Sequence, residues 1–134
     1  MSSYAGLSKG LIIKAPFIDW IMEGRKTWEL RSTHTQVRGP IALIQKGTGS
    51  VVAVARLVDS KGPLSAADMA ANLQHHAVAP DRLAMPDLQK YRFAWVLGDV
   101  KRLARPVSYT HRNGAVIWVA LDLAVAGSVL GAAG

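Results

Sequence analysis

Residues 24–31 have the sequence Gly-Arg-Lys-Thr-Trp-Glu-Leu-Arg, and they give the clearest indication of how this chain folds. Residues 16–23, just before them, predict a short helix, because Pro16 suits the first helical position and apolar residues then recur at helical spacing. Gly24 suits the left-handed conformation that ends a helix. From Thr27 to Arg31, polar and apolar side chains alternate, which is typical of a β-strand. The stretch therefore predicts a helix, a tight turn and a strand.

Three charged side chains of this stretch form a candidate site. Alternation places Trp28 and Leu30 on the core face of the strand. Glu29 and Arg31 then share the opposite face, where they can pair. Lys26 joins them only if it lies before the strand or at a bulge, because a regular strand would turn it away. The alternative is a solvated strand face with a weak ion pair, and spacing alone leaves both interpretations open.

The rest of the chain predicts five further strands and one further helix, bounded by turn residues. The strands are expected at residues 10–15, 27–31, 41–46, 50–60, 92–107 and 115–121, and the second helix at residues 66–75. The long strand should bend near Gly98, and Asn113-Gly114 is a hairpin signal before the last strand. The predicted fold is mostly β with α, a six-stranded β-barrel with about two flanking helices. The apolar tail, residues 123–134, is expected to pack to about Val125.

Length and composition predict a single domain spanning residues 1–134. The chain has no cysteine, which excludes disulfides, thiolate catalysis and Cys-ligated zinc. Residues 1–6 lack the charged and apolar segments of a signal peptide. No apolar stretch reaches about 18 residues, so we expect no membrane span and a cytoplasmic protein.

The charge balance favours a polyanionic partner. The chain carries 16 Lys and Arg against 9 Asp and Glu, a net charge of +7. Residues 1–62 hold nine of these cations and four of the anions, so the part with residues 24–31 is the more basic. Excess positive charge favours nucleic acids through counterion release. The four histidines lack metal-ligand spacing, so we expect neither a metal nor a cofactor.

Two further residues are candidates for ligand contact. Lys46 precedes Gly47-Thr48-Gly49, which predicts a hairpin turn because it lacks the phosphate-binding pattern, and Lys46 can project a cation toward the site. Tyr109 lies among polar residues and can stack on a base, or else it packs against the barrel end. The four tryptophans all lie in apolar patterns and are expected in the core.

Gly24-x-Lys26-x-x-Glu29-x-Arg31 resembles the signature of the ASCH (activating signal cointegrator homology) family, of the small bacterial stand-alone type. Further matches lie at residues 91–100, at Pro106-Val107-x-Tyr109 and at residues 114–118, so the resemblance covers residues 7–122. It implies a PUA-like six-stranded β-barrel. It also implies a cleft beside the signature that receives RNA or a nucleobase.

Two branches of that family imply different chemistry. Acetylcytidine amidohydrolases carry a Lys, a Thr and a downstream Glu, and here Lys26 matches while Glu29 replaces the threonine. The downstream acid has no clear match, with Asp59 and Asp68 as the residues considered. Other bacterial members are implicated in RNA cleavage, where Lys26, Tyr109 and Lys46 would act without metal.

The sequence therefore predicts that RNA or a modified nucleotide or nucleoside binds a cationic cleft formed by Lys26, Glu29, Arg31, Lys46 and Tyr109. Catalysis would fall to Lys26, Glu29 and Tyr109. A metal-independent ribonuclease is the first alternative to binding alone. An amidohydrolase acting on an acylated cytidine or deoxycytidine is the second alternative.

Overall fold

The computed structural model describes residues 3–134, and its centre is a sheet of six strands. Met1 and Ser2, with which the predicted domain begins, lie outside the described residues. The strands are β1 (Lys9–Ile13), β2 (Trp28–Arg31), β3 (Gly39–Gln45), β4 (Ser50–Lys61), β5 (Phe93–Ser108) and β6 (Trp118–Ala120). Their order in the sheet is β2-β5-β4-β3-β1-β6, with β1 parallel to β3 and the other neighbours antiparallel.

Helices cover the sheet in greater number than the sequence predicted. In residues 3–134 they are α1 (Phe17–Met22), α2 (Ala66–Ala71), α3 (Leu73–His76), α4 (Pro80–Leu83), α5 (Leu123–Ala133) and one 3-10 turn (Pro86–Leu88). The mixed fold class and the six strands are confirmed. The expected two helices become five, because short helices between prolines and a helical tail escape the periodicity used for prediction.

The sheet curls into a half-barrel because its two longest strands bend. The pairing of β4 with β5 shifts register at three places, and such bulges bend and twist a strand pair. One shift lies beside Gly98, where Asp99 takes a φ of +49°, so the predicted bend is present. The edges β2 and β6 do not pair with each other, and the barrel stays open.

The segment between β5 and β6 corrects one prediction. Asn113-Gly114 does not join paired strands, because β6 pairs with β1 and not with β5. Both edges of β5 are already occupied, by β2 and β4, and the last strand adds at the edge of β1. It is also shorter than predicted. The turn at Gly47–Gly49, in contrast, joins β3 to β4 as expected.

The predicted helix at residues 66–75 is broken into α2 and α3 at Asn72. Its start is as expected: the Ser65 hydroxyl accepts a bond from the Asp68 N–H, and the Asp68 carboxylate accepts one from the Ser65 N–H. The Asn72 side chain donates to the Asp68 carbonyl, and this competition with backbone bonding explains the interruption. The break places His76 on α3, apart from α2.

The C-terminal tail forms α5 and packs much further than the predicted limit at Val125. The Asp122 carboxylate accepts a bond from the Val125 N–H and so caps the helix. Val129 and Ala132 are buried against the sheet. The tail is apolar on all sides, so it lacks the periodicity that identifies an amphipathic helix. Within residues 3–134 no helix is long and apolar enough to cross a membrane.

Candidate functional site

The turn after α1 places Lys26. Gly24 has a φ of +84°, its N–H donates to the Ile21 carbonyl at 3.1 Å, and the Arg25 N–H donates to the Trp20 carbonyl at 2.9 Å. These two bonds form a Schellman motif, which ends the helix and reverses the chain. Lys26 therefore lies before β2, which is the condition the sequence set for its joining Glu29 and Arg31.

Lys26 is a buried cation. It is 1 % exposed, and its Nζ donates to the His76 carbonyl at 2.7 Å. Nζ also lies 3.7 Å from Glu29 Oε1 and 5.2 Å from the ring centre of Phe17. Burial lowers the pKa of Lys26 from 10.5 to about 8, opposed by the charge of Glu29 and assisted by that of Arg31. The amine is therefore close to titrating at neutral pH.

Glu29 and Arg31 pair, as predicted, but not on an outer surface. Arg31 Nη2 donates to Glu29 Oε2 at 2.9 Å and to the Ile12 carbonyl at 2.8 Å, and the guanidinium lies 5.4 Å from the Trp95 ring centre. Glu29 is 6 % exposed and stands opposite Trp95 in the sheet register. The predicted assignment of the charged side chains to a non-core face is therefore wrong.

Both faces of β2 are covered. Trp28 is buried as predicted, but against α3, where its ring stacks on His75 at 4.9 Å. Glu29 lies on the concave face with the interior residue Trp95. Alternation shows only which side chains share a face. Packing of later elements decides which face is interior.

Lys26, Glu29 and Arg31 line a cleft with a volume of about 660 Å³. Its other walls include residues from several further parts of the chain. Lys14 and Phe17 lie near α1, Lys46 lies after β3, and residues 86–91 contribute Lys90 and Tyr91. Five cations (Lys14, Lys26, Arg31, Lys46 and Lys90) and two carboxylates (Glu29 and Asp87) line the space, so the cleft is electropositive.

Tyr109 lies elsewhere. It lines a separate hollow of about 320 Å³ beside the start of α5, and its hydroxyl is 3.0 Å from His111 Nδ1. It is not among the residues that line the main cleft. The structure thus brings four of the five predicted ligand-binding residues together and separates Tyr109 from them.

The acids considered for an amidohydrolase also lie outside the cleft. Asp59 is half exposed and lies 3.5 Å from Lys61, and Asp68 is used in the cap of α2. Among the described residues, no group of three or more His, Asp or Glu side chains is arranged to hold a metal ion.

Sequence reasoning missed several parts of this site. The His76 carbonyl contacts Lys26 across fifty residues, and a backbone acceptor leaves no signal in side-chain patterns. Phe17 is one of the apolar residues at helical spacing in residues 16–23, and it also lines the cleft. Residues 86–91 lie in an irregular segment after α4, where no periodicity identifies a wall of a site.

These features define a class of protein: a six-stranded half-barrel of PUA-like type with a charged cleft beside the turn that follows the first helix. A family model described as the ASCH domain matches residues 11–107. The chain therefore belongs to the ASCH family.

Solved structures agree with this fold. A crystal structure of ASCH from Zymomonas mobilis is 14% identical, covers 92% of this chain and 93% of its own, and gives a TM-score of 0.67. A tyrosine-to-phenylalanine mutant of the same protein is also 14% identical, with 92% and 96% covered and a TM-score of 0.68. A serine-to-alanine mutant is 13% identical, with 97% and 98% covered and a TM-score of 0.65. A comparison with curated proteins found no match.

Proposed function

We propose that the cleft binds RNA or a modified nucleotide, with a nucleobase edge held by Lys26, Glu29 and Arg31. The observation that carries this proposal is that Lys26 and Glu29 are buried and Arg31 is partly buried, in contact with one another in the wall of an open, electropositive cleft. A nucleobase edge presents donors and acceptors side by side. Glu29 supplies an acceptor, and Lys26 and Arg31 supply donors.

The energetics support a ligand-binding role. Buried ion pairs recover their desolvation cost only with good geometry and further hydrogen bonds, and apolar replacements are often as stable or more so. Lys26 is almost fully enclosed, and its pKa is lowered chiefly by burial. Perturbed groups that line a cleft are candidates for function on physical grounds.

The walls match the other parts of a nucleotide. Phe17 and Tyr91 offer aromatic faces on which a base can stack, and stacking on aromatic side chains is a common way of holding single-stranded bases. Lys14, Lys46 and Lys90 supply positive charge for phosphates. The cleft volume of about 660 Å³ lies in the range of small-molecule sites.

Binding of the common 5′-ribonucleotides and of a fluorescein-labelled single-stranded RNA of mixed sequence tests this proposal. We expect Lys26→Met to weaken binding about tenfold or more, since a charge-assisted hydrogen bond is lost. Lys101→Met is the matched control, because Lys101 is exposed and does not line the cleft. The proposal fails if the unaltered protein binds neither probe at physiological salt, or if the two variants bind nucleotides equally.

A second candidate function, metal-independent cleavage of RNA, is favoured by the pKa of about 8 at Lys26 beside the Glu29 carboxylate. A general base works best with a pKa near the operating pH. Neutral Lys26 would take the proton of a ribose 2′-hydroxyl, whose oxygen then attacks phosphorus. The 5′-oxygen would leave with a proton from water, giving a 2′,3′-cyclic phosphate and a 5′-hydroxyl, and the Lys26 ammonium would return its proton to the solvent.

Incubation of the labelled RNA in EDTA distinguishes cleavage from binding. The enzyme hypothesis predicts cyclic-phosphate products, a rate that rises with pH toward about 8, and loss of cleavage in Lys26→Met. Intact RNA that is nevertheless bound supports the binding module alone. Cleavage that persists in Lys26→Met excludes Lys26 as the base.

Because Tyr109 lies outside the cleft, we expect Tyr109→Phe to leave nucleotide binding unchanged.

A further inference from the structure

His76 is a buried titratable residue whose backbone contacts Lys26. Its side chain is fully enclosed, and it does not line the cleft. Its ring Nε2 lies 2.7 Å from the Met69 carbonyl, and its ring Nδ1 lies 3.0 Å from the Val78 backbone nitrogen. Both ring nitrogens are therefore occupied by backbone groups.

The polarity of these partners determines the protonation state of the ring. A carbonyl oxygen only accepts, so Nε2 must carry a proton and donate it. The Val78 N–H only donates, so Nδ1 must offer its lone pair. His76 is therefore neutral, with its proton on Nε2. Burial, with a contribution from the charge of Lys26, lowers the pKa of His76 and acts in the same direction.

The backbone of His76 faces the site. Its carbonyl accepts the bond from Lys26 Nζ, and the preceding carbonyl, of His75, accepts a bond from the Thr27 N–H at 2.8 Å. The chain then passes through Ala77, which has a φ of +61°, to Val78 in the cleft wall. A left-handed non-glycine residue persists only where its surroundings hold it in place. The ring of His76 ties the residues on both sides of this turn.

We infer that His76 is a positioning residue for the cleft: its neutral ring, held between the Met69 carbonyl and the Val78 N–H, aims the His76 carbonyl at Lys26. The ring thereby sets both the place and the charge state of the Lys26 amine. The consequence for ligand binding rests on the proposed function. The effect on Lys26 itself does not depend on it.

Protonation would break this arrangement. A proton on Nδ1 would face the Val78 N–H, so two donors would oppose each other and the turn would shift. The charged and titratable groups around the ring are Lys26 from the turn after α1, Glu29 behind it on β2, and His75 on the same helix. Lys26 and His75 oppose a second positive charge, so the ring stays neutral until the solution is acidic.

The decisive variants are His76→Phe, which keeps the ring volume without hydrogen bonds, and His76→Gln, which carries one donor and one acceptor and cannot be protonated. Val129→Ala is a buried control in α5. The first readout is the titration of Lys26 followed by NMR on protein labelled at the lysine ε-carbon, with Lys26→Met identifying the signal. The second is anisotropy of the labelled single-stranded RNA.

We expect the pKa of Lys26 in His76→Phe to fall by about one unit, because a hydrogen bond to the charged form is lost. It should return in His76→Gln and stay unchanged in Val129→Ala. RNA affinity should follow the same order. A Lys26 pKa that is unchanged in His76→Phe overturns the inference. A rise toward the value of an exposed lysine also overturns it, because the inference requires Lys26 to stay buried while its bond to the His76 carbonyl weakens.

The acid profile supplies a second test that needs only a conservative variant. RNA binding by the unaltered protein should fall more steeply in acid than binding by His76→Gln, since only the histidine ring can be protonated. Equal profiles would contradict the inference, and this comparison stands if His76→Phe does not fold. If no RNA binds at all, the proposed function fails while the Lys26 titration still decides the role of His76.

Discussion

The interior beneath α5 and the interior beside α1 differ in the polarity of their buried side chains. Beneath α5, the buried side chains include Ile12, Val54 and Val129, and the cluster they belong to is entirely apolar. Beside α1, apolar residues meet a charged cluster, which we define as Lys26, Glu29 and Arg31. Lys26 and Glu29 are almost fully enclosed, and Arg31 is partly buried.

The contrast separates stability from function. Apolar burial stabilises the folded state in proportion to the area removed from water. Buried charge stabilises it little, because desolvation cancels most of the attraction between partners. The region beneath α5 therefore holds the fold together. The charged cluster is expected to contribute little to stability, as the proposed ligand site would.

The largest expected effect comes from breaking the charged cluster at its centre. Glu29→Gln removes the only carboxylate that faces both Lys26 and Arg31 among the described residues, and it leaves two buried cations beside each other. We expect the free energy of unfolding to fall by about 3–5 kcal/mol, as measured by urea denaturation. The pKa of Lys26 should also fall further, since Glu29 raises it.

Lys26→Met is the matched contrast within the same cluster. Methionine fills a similar volume and leaves Glu29 paired with Arg31 at 2.9 Å. The free energy of unfolding should therefore stay the same or rise, while nucleotide binding weakens about tenfold or more. If Lys26→Met destabilises the protein as strongly as Glu29→Gln, the cluster is a source of stability and the comparison fails.

Val129→Ala has the next largest effect and tests the apolar side. Val129 is fully buried beneath the sheet, so two lost methyl groups should lower the free energy of unfolding by about 2 kcal/mol. Leu123→Ala is its control, because Leu123 is almost fully exposed on the same helix. The control removes more atoms and should change stability little. Nucleotide affinity should remain that of the unaltered protein in both variants.

Gly24→Ala should lower stability less than Val129→Ala does, but it should weaken nucleotide binding, which Val129→Ala leaves unchanged. A φ of +84° is unfavourable for alanine, and the cost is about 1 kcal/mol. No neighbouring atom would obstruct the added carbon, so the backbone alone is tested. Because this turn places Lys26, we expect a fall in nucleotide affinity as well. Normal affinity with reduced thermal stability would show that the turn can shift without moving Lys26.

The pH dependence of stability is the finest test. For His76 the pKa in the folded state lies below the unfolded value near 6.5. The unfolded chain therefore binds the proton more readily, and the folded state loses stability as the pH falls below about 6.5. For Lys26 the folded pKa is about 8 and the unfolded one 10.5, so the unfolded chain binds more protons between them and stability rises with pH there.

Melting temperatures measured over a range of pH test both the acid range assigned to His76 and the alkaline range assigned to Lys26. His76→Gln should flatten the acid side relative to the unaltered protein, and Lys26→Met should flatten the rise above about pH 8. Other carboxylates also contribute in acid, so the measured quantity is the difference between each variant and the unaltered protein. Parallel curves for His76→Gln and the unaltered protein would show that the ring does not titrate differently on folding.

Much of the local structure follows from the sequence. Helix α1, the glycine turn and the alternation of β2 depend on residues that are close together in the chain, so spacing predicts them. The pairing of Glu29 with Arg31 follows for the same reason, because two residues apart on a strand share a face. The six strands and the mixed fold class were also predicted from patterns within single segments.

The tertiary structure alone determines the contacts between segments that are distant in sequence. Glu29 faces inward because β2 pairs with β5 so that Glu29 lies opposite Trp95. The last strand pairs with β1, since both edges of β5 are occupied. Tyr109 lies outside the cleft. The bond from Lys26 to the His76 carbonyl spans fifty residues. Such contacts depend on which surfaces pack together, and packing is set by the whole chain, so no local pattern of residues 24–31 contains it.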